Sequence, residues 1–253
     1  MRRWGRLAIG VTLAVVLGGS FLPPAPGGEG EVLLEWYGHA FVRLTSPQGV
    51  RVAMDPFGQI GYPMPTVEAE IVTVSHEHGD HNNAALIRGH PVVLRGLTEG
   101  GRDWNPIRYQ HKDVSLVSVP VYHDEQQGRL RGKNTMIAVE LGGLRVAHLS
   151  DMGHLPTEAQ YQALGRVEVL LVPVGGHFSI DGRQAREIVE RLRPRIAIPI
   201  HYKTAATATW PIEDERAFVE GYPRVRRLGG PRVTLALTAL PSLTEIWVLE
   251  PPR

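Results

Sequence analysis

Short runs of apolar and β-branched residues, bounded by Gly, Pro, Asn or Ser, recur along the chain from residue 31 onward. Runs of this kind predict β-strands. The first three are separated only by short turn sequences, which predicts an antiparallel meander at the start of the fold. The predicted strands are 32–36, 40–44, 50–54, 71–74, 91–94, 114–121, 135–141, 144–149, 167–174 and 195–200, with β-like segments at 233–240 and 244–249.

Helical periodicity is clearest in residues 181–194, where Asp181 is placed to cap the first turn. Two further segments, 82–89 and 156–165, also have helical character. Strands that are apolar throughout, such as 167–174, indicate buried sheets with helices packed outside them. The pattern therefore predicts an α+β sandwich and not an all-β barrel. The apolar face of the clearest helix consists of Ala185, Ile188, Val189 and Leu192.

The first 30 residues have the pattern of an export signal. Three arginines in the first six residues precede the apolar stretch 7–22, and a Pro- and Gly-rich segment, 23–30, follows it. The apolar stretch is shorter than the roughly 20 residues that a spanning helix needs. An uncleaved anchor that tethers the protein to a membrane through 7–22 is the alternative. We expect an exported protein, either periplasmic, extracellular or anchored facing outward.

Composition limits what the remaining chain can be. Residues 31–253 contain no repeat and no long linker, so we expect one domain with a substantial core. The formal net charge of the 253-residue chain is +1, and the N-terminal arginines supply that excess. No nucleic-acid partner is therefore expected. The chain has no cysteine, which excludes disulfides and a catalytic thiol. Any metal must be held by nitrogen and oxygen ligands.

The densest group of candidate ligands follows the apolar run 71–74. It consists of His76, His78, Asp80 and His81. In an extended segment alternate side chains point the same way, so His76 and His78 could bind one ion. Asp80 and His81, after Gly79 turns the chain, could face a second ion. Imidazole and carboxylate are suitable ligands for zinc, manganese or iron. A solvated polar turn is the alternative reading.

This H-x-H-x-D-H signature resembles that of the metallo-β-lactamase-fold hydrolases. His123, Asp151 and His201 follow three later predicted strands and resemble the remaining metal-binding motifs of that superfamily. With the Gly-His-Ala of 38–40 and the Asp-Pro-Phe of 55–57, the chain is most similar to a small branch of metal-dependent hydrolases related to ascorbate-6-phosphate lactonase. The resemblance covers residues 32–230.

The resemblance implies a four-layer αββα sandwich with two divalent ions, Zn²⁺ first and Mn²⁺ or Fe²⁺ as alternatives. Asp151 would bridge the two ions. Three ligands per ion and one bridge leave room for a shared water, as catalytic sites do. The first ion would be held by His76, His78 and His123, and the second by Asp80, His81 and His201.

Other residues could contact substrate or support the ligands. His154 could protonate a leaving group or cap a turn, and His177, on a glycine-rich loop, could contact substrate. Together with Asp80 they are the predicted catalytic residues. His39 and Asp55 could orient ligands through hydrogen bonds, while Lys133 and Asn134 could offer substrate contacts. His148 is expected in the core.

The expected function is hydrolysis by a hydroxide that bridges two metal ions. The resemblance favours a small ester-like, lactone or phosphodiester substrate. It disfavours β-lactams, because true β-lactamases of this fold lack a bridging aspartate at the position of Asp151. The alternative is an exported protein that binds or stores zinc without turnover. The sequence leaves the substrate and the oligomeric state open.

Overall fold

A computed structural model describes residues 30–252. Within this range the chain forms two large sheets, a two-stranded ribbon and three α-helices. The strands are β1 (Val32–Gly38), β2 (Phe41–Thr45), β3 (Arg51–Met54), β4 (Val67–Glu68), β5 (Ile71–Val74), β6 (Ile87–Arg88), β7 (Val92–Arg95), β8 (Arg108–His111), β9 (Val114–Tyr122), β10 (Lys133–Leu141), β11 (Leu144–His148), β12 (Val169–Pro173), β13 (Ile196–Ile200), β14 (Val225–Arg227), β15 (Arg232–Leu235) and β16 (Glu245–Val248). The helices are α1 (Glu158–Leu164), α2 (Gly182–Leu192) and α3 (Arg216–Val219).

The first sheet has six strands in the order β15-β1-β2-β3-β5-β7, and the second has eight in the order β14-β16-β13-β12-β11-β10-β9-β8. The predicted meander is confirmed, because β1, β2 and β3 pair antiparallel, with Leu34 opposite Leu44 and Leu44 opposite Val52. The expected α+β sandwich is confirmed as well.

The main core lies between the two sheets. On β1 the side chains alternate, so that Val32, Leu34 and Trp36 are buried while the residues between them are partly exposed. This period of two places one face of each strand against the opposite sheet. Strand β12 is buried at every position, because α2 covers its other face. The continuous apolar run in this part of the sequence reflects that double burial.

Helix α2 follows the sequence pattern closely. The Asp181 carboxylate accepts hydrogen bonds from the backbone N–H groups of Arg183 and Gln184, both at 2.9 Å, and so satisfies two free donors of the first turn. Its inward face is formed by Ala185, Ile188 and Val189, which are buried. The predicted helix 156–165 is also present, as α1, with a capping box at Thr157.

The outer face of the six-stranded sheet is covered by loops and the β4–β6 ribbon, whereas helix α2 packs on the outer face of the eight-stranded sheet. On the six-stranded sheet, apolar side chains pack under loop residues and the ribbon. The helix predicted at 82–89 is wrong, since only a 3-10 turn forms at Ala84–Leu86. Pairing of Ile87 with Val67 places the Ile87 side chain in this smaller core and ends the turn. The buried members of this second core are Phe41, Ala53, Phe57, Tyr62, Val67, Ala69, Val72, Val74 and Ile87.

Strand directions bring the candidate ligands together. Strands β1, β3 and β5 run the same way in one sheet, and β9, β11, β12 and β13 run the same way in the other. The carboxyl ends of strands with one direction meet at one edge, where ligand sites commonly form. The residues that follow these ends are His39 after β1, Asp55 after β3, His76 after β5, His123 after β9, Asp151 after β11 and His201 after β13.

The predicted export signal and the apolar stretch 7–22 lie outside the described residues. Within residues 30–252, no helix is both long enough and apolar enough to cross a membrane.

Gly175 lies where the loop after β12 passes the backbone of His201. A Cβ at this position would be 2.3 Å from the His201 carbonyl oxygen. We therefore expect Gly175→Ala to displace the His201 backbone, at a cost of about 1–3 kcal/mol of unfolding free energy. Thermal unfolding together with zinc content would measure both effects.

Gly230→Ala is the matched control, because a Cβ there would meet open space. If the two variants have the same melting temperature and zinc content, the close approach at Gly175 does not constrain the site.

Candidate metal centre

The segment after β5 carries His76 and His78 and then turns around Gly79, where the sequence predicts a turn. The His81 N–H donates to the His78 carbonyl at 2.9 Å, which closes the turn. His76 Nε2 lies 3.1 Å from His78 Nδ1, whereas Glu77 between them pairs with Arg95 at 2.7 Å. The two imidazoles therefore converge while the residue between them is directed elsewhere, as the alternation predicts.

The first group of ligand atoms comes from His76, His78 and His123. Their rings lie 4.6–4.9 Å apart, and one nitrogen from each lies within 4.8 Å of the others. Burial lowers the pKa of His76 well below its usual range, and it also lowers that of His78. The imidazoles are therefore held in the neutral form that binds a metal.

The second group contains Asp80, His81 and His201, together with His39. His39 Nε2 donates to Asp80 Oδ2 at 3.0 Å. Burial, reinforced by the neighbouring His201, lowers the pKa of His39 to about 3. A neutral His39 therefore orients the Asp80 carboxylate by a hydrogen bond, which agrees with the supporting role predicted for it.

Asp151 lies between the two groups, and its side chain is 2% exposed. Oδ2 is 3.1 Å from His123 Nε2 and 3.3 Å from His81 Nε2, while Oδ1 is 2.6 Å from His201 Nε2. Burial alone would raise the pKa of this carboxyl, but the surrounding histidines, led by His201 and His81, lower it well below its usual range. Oδ1 thus faces the second group, and Oδ2 lies between His123 of the first group and His81 of the second.

Asp55 orients a histidine of each ligand group, His81 by a direct hydrogen bond and His76 through Ser75. Its Oδ2 accepts from His81 Nδ1 at 3.0 Å and from the Ser75 hydroxyl at 2.7 Å. Ser75 Oγ in turn lies 2.9 Å from His76 Nδ1. These bonds leave Nε2 of both histidines directed at the centre, as ligand tautomers require. Ser150, which the sequence did not single out, donates to the same Asp55 oxygen at 2.5 Å.

Several of these positions have an unusual backbone. His39, Asp55, Ser150 and His201 have φ of 50°, 47°, 51° and 50°, a left-handed region that side chains other than glycine seldom adopt. Such conformations persist where the surrounding structure holds them and cluster at functional sites. The His201 N–H, for example, donates to the His39 carbonyl at 3.0 Å.

The donor set fits metal ions. His81 Nε2, His201 Nε2 and Asp151 Oδ1 are buried and make no hydrogen bond within the described structure. Buried polar atoms without partners are costly. Although His201 Nε2 and Asp151 Oδ1 are only 2.6 Å apart, they do not form a hydrogen bond, so both point toward a common centre. A cation there would satisfy all three atoms.

The other predicted residues have different surroundings. His154 is engaged on both ring nitrogens, since Nε2 accepts from the Tyr122 N–H at 3.1 Å and Nδ1 donates to the Leu155 carbonyl at 2.8 Å. The geometry favours its turn-capping role over the predicted catalytic one. His177 is exposed and lines a side cavity of about 230 Å³ that also contacts His123.

Two further expectations concern residues away from the centre. His148 lies in the core as predicted, with Nε2 donating to the Ala40 carbonyl at 2.8 Å. Lys133 is not free for substrate, because Nζ binds Asp103 at 2.5 Å, and Asn134 is fully buried. The substrate contacts predicted for this pair are therefore corrected.

A cavity of about 700 Å³ opens above the centre. It is lined by four of the candidate ligands, His78, Asp80, His123 and Asp151. Its remaining walls include residues that the sequence does not single out, although Leu130, Arg131 and Phe178 lie close in the chain to the predicted contacts Lys133, Asn134 and His177. These walls are formed by Gln59, Ile60, Gly79, Leu130, Arg131, Phe178, Thr209, Trp210 and Pro211.

Comparison with known proteins agrees with this geometry. A family described as "Beta-lactamase superfamily domain" matches residues 33–201. A UPF0173 protein of Pyrococcus abyssi is 31% identical over 67% of this chain and 82% of its own length. The chain belongs to the UPF0173 metal-dependent hydrolases of the metallo-β-lactamase superfamily.

Other members of the family support the same conclusion. A UPF0173 metal-dependent hydrolase of Thermus thermophilus is 30% identical, covering 68% of this chain and 84% of the relative. A solved structure from Thermotoga maritima, described as a zinc-dependent hydrolase of the superfamily, has a TM-score of 0.69 at 30% identity. The match covers 87% of this hydrolase and the whole of the Thermotoga maritima chain. These relatives do not confirm the narrower resemblance to ascorbate-6-phosphate lactonase, which stays a prediction.

The Asp55 hydrogen bonds predict a test of metal affinity. Asp55→Asn removes the negative charge that orients His76 and His81, so we expect zinc affinity to fall about 10- to 100-fold. Competition with a chromophoric chelator would measure the dissociation constants.

Asp113→Asn is the matched control. Asp113 is another buried carboxylate, and it accepts from Ser46 Oγ at 2.8 Å and the Gln48 N–H at 3.1 Å, away from the centre. An Asp55→Asn protein that binds zinc as tightly as this control would contradict the supporting role.

The charge on His81 predicts how metal binding depends on pH. Burial alone would lower the pKa of His81, but the carboxylates of Asp151 and Asp80 raise it well above its usual range. In metal-free protein this imidazole is therefore charged, and a metal ion must displace its proton. We expect zinc affinity to fall as pH decreases, with proton release on binding. Calorimetric titration in buffers of different ionisation enthalpy would count the protons, and a count of zero would contradict the prediction.

Proposed function

We propose that this metal-dependent hydrolase holds two divalent cations, Zn²⁺ first, and cleaves a small ester-like, lactone or phosphodiester substrate. The observation that carries the proposal is the position of the Asp151 carboxylate between the two ligand groups. Oδ1 lies 2.6 Å from His201, whereas Oδ2 lies 3.1 Å from His123 and 3.3 Å from His81. A carboxylate within 3.3 Å of members of both groups is suited to bridge two ions.

One metal position would have three histidine ligands, and the other would have two histidines and one carboxylate. His76, His78 and His123 form the first group, and Asp80, His81 and His201 form the second. Bound cations would act as Lewis acids toward the substrate and lower the pKa of a water molecule. Neither a serine nor a cysteine nucleophile is required.

Asp80 is the residue placed to orient water. Its side chain is 21% exposed and lines the cavity, unlike the fully buried carboxylates behind the centre. Burial would raise the pKa of Asp80, but His81 and the hydrogen bond from His39 lower it below its usual range. A carboxylate whose pKa is lowered is a weak base, so Asp80, held by His39, would orient a water molecule by accepting a hydrogen bond from it. His39 thereby acts as a positioning residue.

The cavity above the centre favours turnover over storage. A binding protein needs only the ligands, but here His78 and Asp80 open into about 700 Å³ lined in part by Ile60, Phe178 and Trp210. Pockets of this size with apolar walls and a few polar groups are typical of small-molecule sites. We propose a small organic substrate, met outside the cytoplasm if the export signal predicted for residues 1–30 operates.

Replacing Asp151 tests the proposal. We expect Asp151→Ala to bind fewer than two zinc ions per chain, because the variant lacks both the carboxylate that would bridge them and its negative charge. For the same reason we expect kcat/KM to fall about 1000-fold. Metal analysis and a screen of chromogenic esters, lactones and phosphodiesters would measure both.

Glu77→Gln is the matched control within the same turn, since Glu77 lies between His76 and His78 but pairs outward with Arg95 at 2.7 Å. Less than one zinc per chain in metal-replete wild-type protein would refute the dinuclear centre. Two ions without any turnover that exceeds the Asp151→Ala level would favour zinc storage instead.

A further inference from the structure

Arg131 lies on a loop that one buried carboxylate holds in place. The Asp124 side chain accepts four backbone hydrogen bonds at 2.7–3.0 Å. Because so many donors converge on one side chain, the loop after β9 has a defined shape, and the Arg131 backbone is fixed independently of its own side chain. The donors are the N–H groups of Gln126, Gly128, Leu130 and Arg131.

The Arg131 guanidinium is half-buried and lies over the Phe178 ring, 5.7 Å from its centroid. It forms no ion pair or side-chain hydrogen bond with any residue in the described part of the chain. The other cations of the same loop differ in this respect. Lys133 binds Asp103, and Arg129 donates to Gln126 Oε1 at 3.2 Å. Of these three cations, Arg131 is the one whose side chain makes neither an ion pair nor a hydrogen bond.

Arg131 borders the substrate space. Arg131 and Phe178 line both the 700 Å³ cavity above the metal centre and the adjoining 230 Å³ cavity, and His123 borders both as well. The pair therefore forms part of the boundary between the two spaces. Arg131 is the only lysine or arginine among the described residues that line either cavity.

The carboxylates near Arg131 are already engaged. Asp124 is saturated by the loop backbone, and Glu125 accepts from Gln184 Nε2 at 3.0 Å. Asp80 and Asp151 belong to the metal centre. An arginine without an internal anion beside a reactive centre is suited to bind an anionic group of the substrate, through a charge-assisted and often bidentate hydrogen bond.

The wall beside Arg131 is apolar and aromatic. Phe178 and Trp210 approach edge to face, with ring centroids 6.2 Å apart, and Ile60 and Pro211 continue the surface. A substrate that reaches from the metal centre to Arg131 would cross this surface. Its connecting part should therefore be a short hydrocarbon or aromatic unit.

We propose that Arg131 determines specificity by binding a carboxylate or phosphate group on the substrate, while a short apolar unit joins that group to the bond cleaved at the metal centre. This inference rests on the hydrolytic function proposed above. It identifies the substrate class as small anionic esters or lactones.

A pair of esters that differ only in charge tests the inference. The probes are mono-(4-nitrophenyl) glutarate, which carries a free carboxylate, and its neutral methyl ester. With the full-length, zinc-loaded protein, we expect Arg131→Gln to lower kcat/KM for the acid about 10- to 100-fold, mainly through KM, as loss of a charged hydrogen bond would. The methyl ester should be cleaved as before, and Arg131→Lys should recover part of the loss.

Arg129→Gln is the matched control, because Arg129 belongs to the same loop but lines neither cavity. It should leave both esters unaffected. If Arg131→Gln changes the two esters equally, or changes neither, the specificity role is overturned. Equal melting temperatures would exclude a folding defect as the cause.

A binding measurement separates this inference from the hydrolytic proposal. Calorimetry with 4-phenylbutyrate and the neutral 4-phenylbutanamide should show weaker binding of the acid alone in Arg131→Gln. If the acid binds more weakly to Arg131→Gln but neither ester is hydrolysed, the anion site is supported and ester hydrolysis is contradicted. Turnover with equal binding of the acid to both proteins would support hydrolysis and overturn the role of Arg131.

Discussion

The buried carboxylate of Asp151 is the group on which the rest of the centre depends. A charge that is 2% exposed is strongly unfavourable unless opposite charge surrounds it. His81, His123 and His201 approach it within 3.3 Å, and bound cations would complete the compensation. Because these side chains come from different strands, the charge on one residue ties both sheets together at a single edge.

The fold meets this requirement through backbone geometry at the strand ends. Left-handed conformations at His39, Asp55 and His201 turn the chain immediately after a strand, so each side chain is directed into the gap between the sheets. Gly175 allows two loops to approach where a methyl group would not fit. Rigid strands therefore set the ligand positions, which suits a site whose chemistry requires fixed distances.

The candidate metal ligands and the candidate substrate contacts belong to different parts of the molecule. The candidate ligands follow strand ends and, apart from His78 and Asp80, are buried, whereas Arg131, Phe178 and Trp210 lie on loops that line the cavity. Relatives can share the metal centre while their loops differ, which explains why the family match establishes a metal-dependent hydrolase but names no substrate. The anion site inferred at Arg131 belongs to these loops.

The sequence by itself determined the sheet-rich α+β fold, the principal helix and the residues that converge at the candidate metal centre, because each depends on local periodicity or on polar residues that follow strands. It failed at 82–89, where long-range pairing of Ile87 with Val67 prevailed over helical character. Only the tertiary structure showed that Lys133 is occupied and Arg131 is free, and that the backbone engages His154. Such differences depend on contacts between residues distant in sequence, and no local pattern encodes them.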